Sequence, residues 1–333
     1  MTERFDVLTI GNAIVDIIAQ AEEDFLVREE IAKGAMNLID ADRAEHLYAA
    51  MGPATEASGG SAANTAAGVA SFGGRAAYFG KVADDQLGTI FAHDIRAAGC
   101  HFQTAPLDGP PPTARSMIFV TPDGERSMNT YLGACVELGP EDVEEDVVAA
   151  TAITYFEGYL WDPPRAKDAI RQAAEIAHAN GRRMAMTLSD SFCVERYRAE
   201  FLDLMRSGTV DLTFANEAEA KALYETSDLD SALTALREDC AMSVVTRSEK
   251  GAVVVGNGVE AKVEAHPVER VVDATGAGDL FAAGFLHGLT TDREPAECAR
   301  LGAMAAAEVI SHIGPRPQVK LSQLAEQEGL AKS

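Results

Sequence analysis

The sequence predicts an α/β protein built on a doubly wound, mostly parallel sheet flanked by helices, and three observations carry that expectation. From residue 153 onward short apolar runs alternate with longer helical patterns: 153–157, 184–188 and 210–215 read as strands, 164–180, 194–205 and 218–224 as helices. Such βα alternation implies parallel strands with sites at their carboxyl ends. Near the end of the chain, Val271-Val272-Asp273-Ala274-Thr275-Gly276-Ala277-Gly278-Asp279 runs into Leu280-Phe281-Ala282-Ala283-Gly284-Phe285-Leu286, a small-residue turn that opens an apolar helix. Finally, 333 residues with 47% hydrophobic content can bury a core large enough for one α/β domain with an appendage, or for two domains.

In chain order, Phe5-Asp6-Val7-Leu8-Thr9-Ile10 is a short apolar strand that residues 1–4 lead into; it ends at Gly11-Asn12, and β-branched residues resume over 13–18. Asn12 and Asp16 either close a turn or face the ligand crevice that lies outside strand carboxyl ends. Residues 34–39 are a second β-like piece and 41–51 a helix. Ser58-Gly59-Gly60-Ser61-Ala62-Ala63-Asn64 then precedes a small-residue helix through Phe72 that Gly73-Gly74 ends. Adjacent glycines serve a plain turn, or they let backbone approach a ligand that Asn64 could bond as donor and acceptor. After a strand over 76–82 and a helix opened by Asp84-Asp85, two alternating runs, 113–120 and 127–132, flank Thr121-Pro122-Asp123-Gly124-Glu125, a hairpin turn. Residues 243–247, 252–256 and 259–265 read as strands, the last two joined at Asn257-Gly258, and 295–311 is an Ala- and Gly-rich helix.

Chemistry concentrates at residues 273–279. Two glycines and an alanine leave the N–H groups of Gly276, Ala277 and Gly278 uncovered at a helix N-terminus, where orphan donors and the macrodipole favour an anion. Asp279, in the first turn, is placed to take a proton from an attacking hydroxyl while those N–H groups hold the charge growing on a transferred phosphoryl group. The structural alternative is a glycine-rich loop with an acidic cap. The stretch lacks the third glycine of a dinucleotide fingerprint, and the chain contains no GxxxxGK[ST] phosphate loop.

With 28 Lys and Arg against 52 Asp and Glu, the net charge of −24 argues against nucleic acid or an anionic membrane as partner. A phosphate ligand must be met by local groups. The five scattered cysteines form no CxxC pair, so neither a disulfide framework nor a zinc site is indicated, and a reducing cytoplasm fits. No signal peptide and no membrane-spanning apolar run is read.

Asp273-x-Thr275-Gly276-Ala277-Gly278-Asp279, preceded in order by Gly59-Gly60, Asn64 and Gly73-Gly74, resembles the paired signatures of the ribokinase-like (PfkB) sugar and nucleoside kinases, while Gly11-Asn12-x-x-x-Asp16, Gly59-Gly60-Ser61 and the Leu188-Ser189 strand end resemble most their adenosine kinases. Ala274 stands where that family usually has Thr, Ser, Pro or Val. The resemblance implies a single ribokinase-like domain over 1–333, with a β-rich lid from about 13–39 and 113–133. It implies phosphorylation of the 5′-hydroxyl of adenosine by ATP and Mg²⁺, with a sugar such as ribose or fructose as the alternative acceptor and K⁺ as a further candidate ion. Asn12, Asp16, Gly59, Gly60, Ser61 and Asn64 would then hold the ribose, and Tyr159 and Phe192 the base. Asn216, Thr246, Arg247 and Thr275, with Gly276 and Gly278, would meet ATP, and Glu219 of the Asn216-x-x-Glu219 motif would organise magnesium. Thr246-Arg247-Ser248 departs from the family's Thr-x-Gly, so Arg247 would have to compensate. The expected protein is a cytoplasmic monomer or homodimer.

Overall fold

The computed structural model describes residues 5–256 and 258–331, so residues 1–4 and Asn257 of the expected Asn-Gly turn lie outside the described residues. Thirteen strands form two sheets among the described residues. The first seven are β1 (Phe5–Ile10), β2 (Ile14–Gln20), β3 (Met36–Leu38), β4 (Ala54–Gly59), β5 (Ala76–Phe79), β6 (Ala114–Val120) and β7 (Arg126–Tyr131). The other six are β8 (Thr151–Glu157), β9 (Arg183–Thr187), β10 (Leu212–Asn216), β11 (Met242–Thr246), β12 (Ala252–Gly256) and β13 (Val259–Val263).

The large sheet has the order β13-β12-β11-β10-β9-β8-β1-β5, parallel from β11 to β5 and antiparallel at the β11-β12-β13 edge. Its strands from β12 to β5 are largely buried on both faces, which is why they read as continuous apolar runs, whereas the edge strand β13 alternates half-buried and exposed residues. Successive side chains nevertheless point to opposite layers. Val7, Tyr155, Ala185 and Val244 join one core, under the helices Ser61–Ser71, Ala277–Thr290 and Pro295–Val309, while Leu8, Phe156, Met186 and Val245 join the other, under Pro164–Ala179, Ser191–Arg206 and Leu229–Asp239. Strand order reverses at β1, which pairs with β5 on one side and β8 on the other. A crevice therefore opens beyond the carboxyl ends of β1 and β8, where Asn12 and Glu157 stand.

The smaller sheet, β3-β7-β6-β2-β4, mixes parallel and antiparallel pairs. The expected hairpin is there as β6 and β7. β4 departs from the sequence expectation: Ala54–Gly59 carries no β-branched or aromatic run, and it pairs as an edge strand against β2.

Two helices set the position of the catalytic-looking turn. Ala277–Thr290 and Pro295–Val309 meet so closely that a Cβ on Gly284 would lie 2.6 Å from the Leu301 carbonyl, and one on Gly302 would lie 2.6 Å from the Phe281 carbonyl. Alanine is a better helix former than glycine by about 1 kcal/mol. The contact is backbone on backbone, however, and overpacking costs about 1–3 kcal/mol. We expect Gly302→Ala to lower the thermal midpoint, with a net loss of about 1 kcal/mol or more. A raised midpoint by scanning calorimetry would show that this helix pair has slack.

Candidate active site

A cavity of about 790 Å³ lies between the two sheets, a volume that suits small-molecule ligands. Of the residues expected at the acceptor, it is lined by Asn12, Asp16, Gly60, Ser61, Asn64, Tyr159 and Phe192. Of those expected at the phosphate end, Asn216, Glu219, Thr246, Thr275, Gly276, Ala277, Gly278 and Asp279 line it. Gly59 and Arg247 do not. Gly59 stands behind Asp16, where a Cβ would fall 2.3 Å from that carboxylate, so its role is to leave room. Arg247 donates from Nε to Glu217 Oε2 at 3.1 Å, outside the cavity lining.

Asp279 sits where the two halves of the chain meet. Gly276 caps the Ala277–Thr290 helix in the left-handed region at φ 81°, and a Cβ there would come 2.7 Å from the Pro315 carbonyl, so geometry and space both demand glycine. Among the described residues no backbone acceptor takes the N–H groups of Gly276, Gly278 or Asp279. The Ala277 N–H donates to the Ala274 carbonyl at 3.3 Å. The Asp279 carboxylate accepts from Ser61 Oγ at 2.6 Å and Asn64 Nδ2 at 3.0 Å, and Thr65 Oγ1 donates to its backbone carbonyl at 3.2 Å. Burial raises the Asp279 pKa, and the Ser61 and Asn64 hydrogen bonds pull it back. Ser61 and Asn64, expected at sugar hydroxyls, thus hold the acid itself in this structure.

The acceptor end contains a residue that the sequence reading did not single out. Glu157, at the end of β8, is fully buried and accepts from the N–H groups of Asn12 at 2.8 Å and Ala62 at 3.0 Å. One carboxylate thereby fixes both the loop after β1 and the start of the Ser61–Ser71 helix. Burial pushes its pKa up to about 7 against the pull of those two N–H groups. The available signal was an acid closing an otherwise apolar strand next to the expected crevice. Gly60, at φ 93°, passes so near Asn12 that a Cβ would lie 2.3 Å from the Asn12 carbonyl. Asp16, on β2, is raised to about 6 chiefly by burial, while Arg126 and Arg316 lower it. Ile14, Met36, Leu38, Met128 and Leu132 form the apolar side of the cavity. Tyr159 is held there by its hydroxyl, which donates to the Ser189 carbonyl at 3.4 Å, whereas Phe192 is 74% exposed at the rim.

At the opposite end, Asn216 and Glu219 form a capping box. The Asn216 N–H donates to Glu219 Oε2 at 2.9 Å, the Glu219 N–H returns a bond to Asn216 Oδ1 at 2.9 Å, and Asn216 Nδ2 donates to Oε1 at 2.5 Å. Burial still pushes the Glu219 pKa up to about 7. No group of three or more His, Cys, Asp or Glu suited to a metal occurs among the described residues. A single buried carboxylate of this kind fits Mg²⁺, which keeps its waters and takes few protein ligands beside substrate phosphates. Thr246 Oγ1 donates to the Ala215 carbonyl at 3.5 Å. Asp273 accepts from the N–H groups of Thr275 and Gly314, both at 3.0 Å, and pairs with Arg126 from β7, so the turn is tied to the smaller sheet.

For Glu157 the linkage sign is definite. Its pKa rises on folding from 4.5 to about 7, so the stability it contributes is fully present below about 4.5 and lost as pH climbs to 7. At about 1.4 kcal/mol per pH unit the change is on the order of 3 kcal/mol. We expect Glu157→Gln to gain on the wild type by up to that amount between pH 4.5 and 7.5 in urea unfolding. A stability gap independent of pH would remove the buried charge from the account.

With this geometry in hand, comparison with known proteins is specific. The pfkB family carbohydrate kinase pattern matches residues 31–320. An adenosine kinase structure from Sinorhizobium meliloti is 71% identical, with a TM-score of 0.92 over 98% of this chain and 100% of that one. The structure of a probable sugar kinase protein from Rhizobium etli CFN 42 is 65% identical, with a TM-score of 0.94 over 99% and 100%. The adenosine kinase of Saccharomyces cerevisiae is 28% identical over 341 residues, 95% of this chain and 98% of that protein. Matched over residues 31–320, the chain belongs to the pfkB family of carbohydrate kinases.

Proposed function

We propose that the protein transfers the γ-phosphoryl group of ATP to the 5′-hydroxyl of adenosine, giving AMP and ADP. The observation that carries this reading is Asp279, a carboxylate set between a run of open helix-terminal N–H groups and a sugar-sized polar pocket. Asp279 takes the hydroxyl proton as the oxygen attacks the γ-phosphorus, and the open N–H groups of Gly276 and Gly278 hold the charge on the phosphoryl oxygens. The bond to the β-phosphate oxygen breaks and ADP leaves with that electron pair. Asp16, Asn12 and the Gly60 backbone orient the ribose. Glu219 would hold Mg²⁺, which would supply positive charge against the phosphates. The smaller sheet serves as the lid that excludes water as a competing acceptor.

Preference for a nucleoside rests on the apolar side of the cavity. A free sugar would leave Ile14, Leu38, Met128 and Tyr159 facing water, whereas a base covers them. The similarity to two adenosine kinases supports this choice, and the resemblance to a probable sugar kinase keeps free ribose or fructose as the competing acceptor. The five cysteines are all free and buried, in keeping with work in a reducing cytoplasm. Among the described residues no helix is long and apolar enough to cross a membrane.

The test is a panel of adenosine, guanosine, inosine, cytidine, ribose and fructose with Mg-ATP. Adenosine should give the highest kcat/KM, and stacking and apolar burial should place free ribose roughly ten- to a hundredfold below it. A sugar turned over more efficiently than every nucleoside would transfer the assignment to that sugar. In parallel, Glu219→Gln should raise the Mg²⁺ concentration needed for half-maximal rate, and an unchanged titration would leave Asn216 and Glu219 as a helix cap alone.

A further inference from the structure

Arg316 lies in Gly314-Pro315-Arg316-Pro317, beyond the last helix that frames the site, and does not itself line the cavity. Prolines on both sides fix φ and hold the segment. Pro315 packs against Gly276, so the segment is anchored to the anion-binding turn. The Arg316 guanidinium reaches into the acceptor half of the site. Its Nε donates to Asn64 Oδ1 at 3.4 Å, and it faces Asp16 on β2, Asp94 on the Gln86–Ala97 helix, Tyr78 on β5 and Cys100. Its Nη2 is buried without a partner among the described residues. An arginine kept in such a place, at a cost in desolvation, calls for a function.

We propose that Arg316 is a positioning residue of the phosphoryl-acceptor site, which fixes the orientation of the Asn64 amide on Asp279 and supplies the positive charge that keeps Asp16 an acceptor for sugar hydroxyls. This role depends on Asp279 being the base and Asp16 an acceptor ligand, as proposed above. An asparagine amide is nearly symmetric in shape, and its two ends differ only in donating or accepting. With Oδ1 bonded to Arg316, Nδ2 must face Asp279, as it does at 3.0 Å. That constraint matters once Asp279 has taken the proton, because a protonated carboxyl could bond either end of the amide. Arg316 keeps Asn64 a donor throughout turnover, so Asp279 returns to the same geometry for the next cycle. The second effect is electrostatic. Burial and Asp279 both favour the protonated form of Asp16, while Arg316 and Arg126 are the two cations that oppose them. A protonated Asp16 would lose acceptor capacity toward a diol.

The experiment compares Arg316→Met and Arg316→Lys with the wild type in kcat/KM against pH, using whichever acceptor the wild type turns over best, with thermal midpoints recorded alongside. A wild type that prefers a sugar would correct the substrate while leaving this comparison intact. Arg316→Met should move the acidic limb of acceptor kcat/KM upward by about one pH unit, as expected when a carboxylate loses an adjacent arginine. It should raise the acceptor KM and leave the ATP KM as it was. Arg316→Lys, which keeps the charge without the fork to Asn64, should return the limb to its wild-type position while kcat stays reduced. A folded Arg316→Met with an unshifted limb and equal changes in both Michaelis constants would overturn the proposal. Should that variant fail to fold, an Arg316→Lys protein with wild-type kcat and acceptor KM would overturn it instead.

Discussion

The hydrogen bonds from Ser61 and Asn64 to the Asp279 carboxylate are the contact on which the rest of this structure depends. They join residues 218 and 215 positions apart, one helix from each end of the chain, at the point where the strand order of the large sheet reverses. Each side of the contact is fixed by its own device. Glu157 holds the start of the Ser61–Ser71 helix by the Ala62 N–H, and the glycine-tight contact with the Pro295–Val309 helix sets the axis along which Asp279 is presented. A carboxylate at a helix N-terminus is favoured by the open N–H groups around it. Those N–H groups and the Ser61 and Asn64 hydrogen bonds oppose, without overcoming, the cost of its burial, and its carboxylate lines the cavity.

The electrostatics of the cavity follow from collecting acids in a poorly hydrated place. Asp16, Glu157, Glu219 and Asp279 all have raised pKa values, with burial as the largest cause in each. A neutral hydroxylated acceptor meets such a surface without repulsion. A polyphosphate does not, on a chain whose net charge is already −24. The open N–H groups at the helix start are the local counterweight to that charge. The cluster also costs folding stability near neutral pH, the usual exchange between an active site and a more stable apolar replacement.

What the sequence disclosed depended on how local each signal was. Parallel strands buried on both faces leave unbroken apolar runs, so β8, β9 and β10 were readable to within a residue or two, and the Pro-Asp-Gly turn gave away β6 and β7. β4 was not readable, because Ala-Thr-Glu-Ala-Ser-Gly has no intrinsic strand preference and becomes one by pairing with β2. The same division holds in the site. Residues 273–279 carry their geometry in seven consecutive positions. Glu157, Arg126 and Arg316 carry none, since each is a single charge whose partner lies 95 to 252 residues away, as for Glu157 with Ala62, Arg126 with Asp273 and Arg316 with Asn64. The pairing of Arg247 with Glu217 was equally hidden, because Glu217 belongs to a different βα unit.

The most direct test of this account separates chemistry from binding at Asp279. Single-turnover phosphorylation of adenosine by Asp279→Asn should be slower by about 10²–10⁴-fold, the usual worth of a general base, since asparagine cannot take the hydroxyl proton. Calorimetric titration of the same variant with adenosine and with Mg-ATP should give affinities near those of the wild type. A folded Asp279→Asn protein with wild-type single-turnover rates would contradict the account, because the carboxylate around which both halves of the chain converge would then have no part in the reaction.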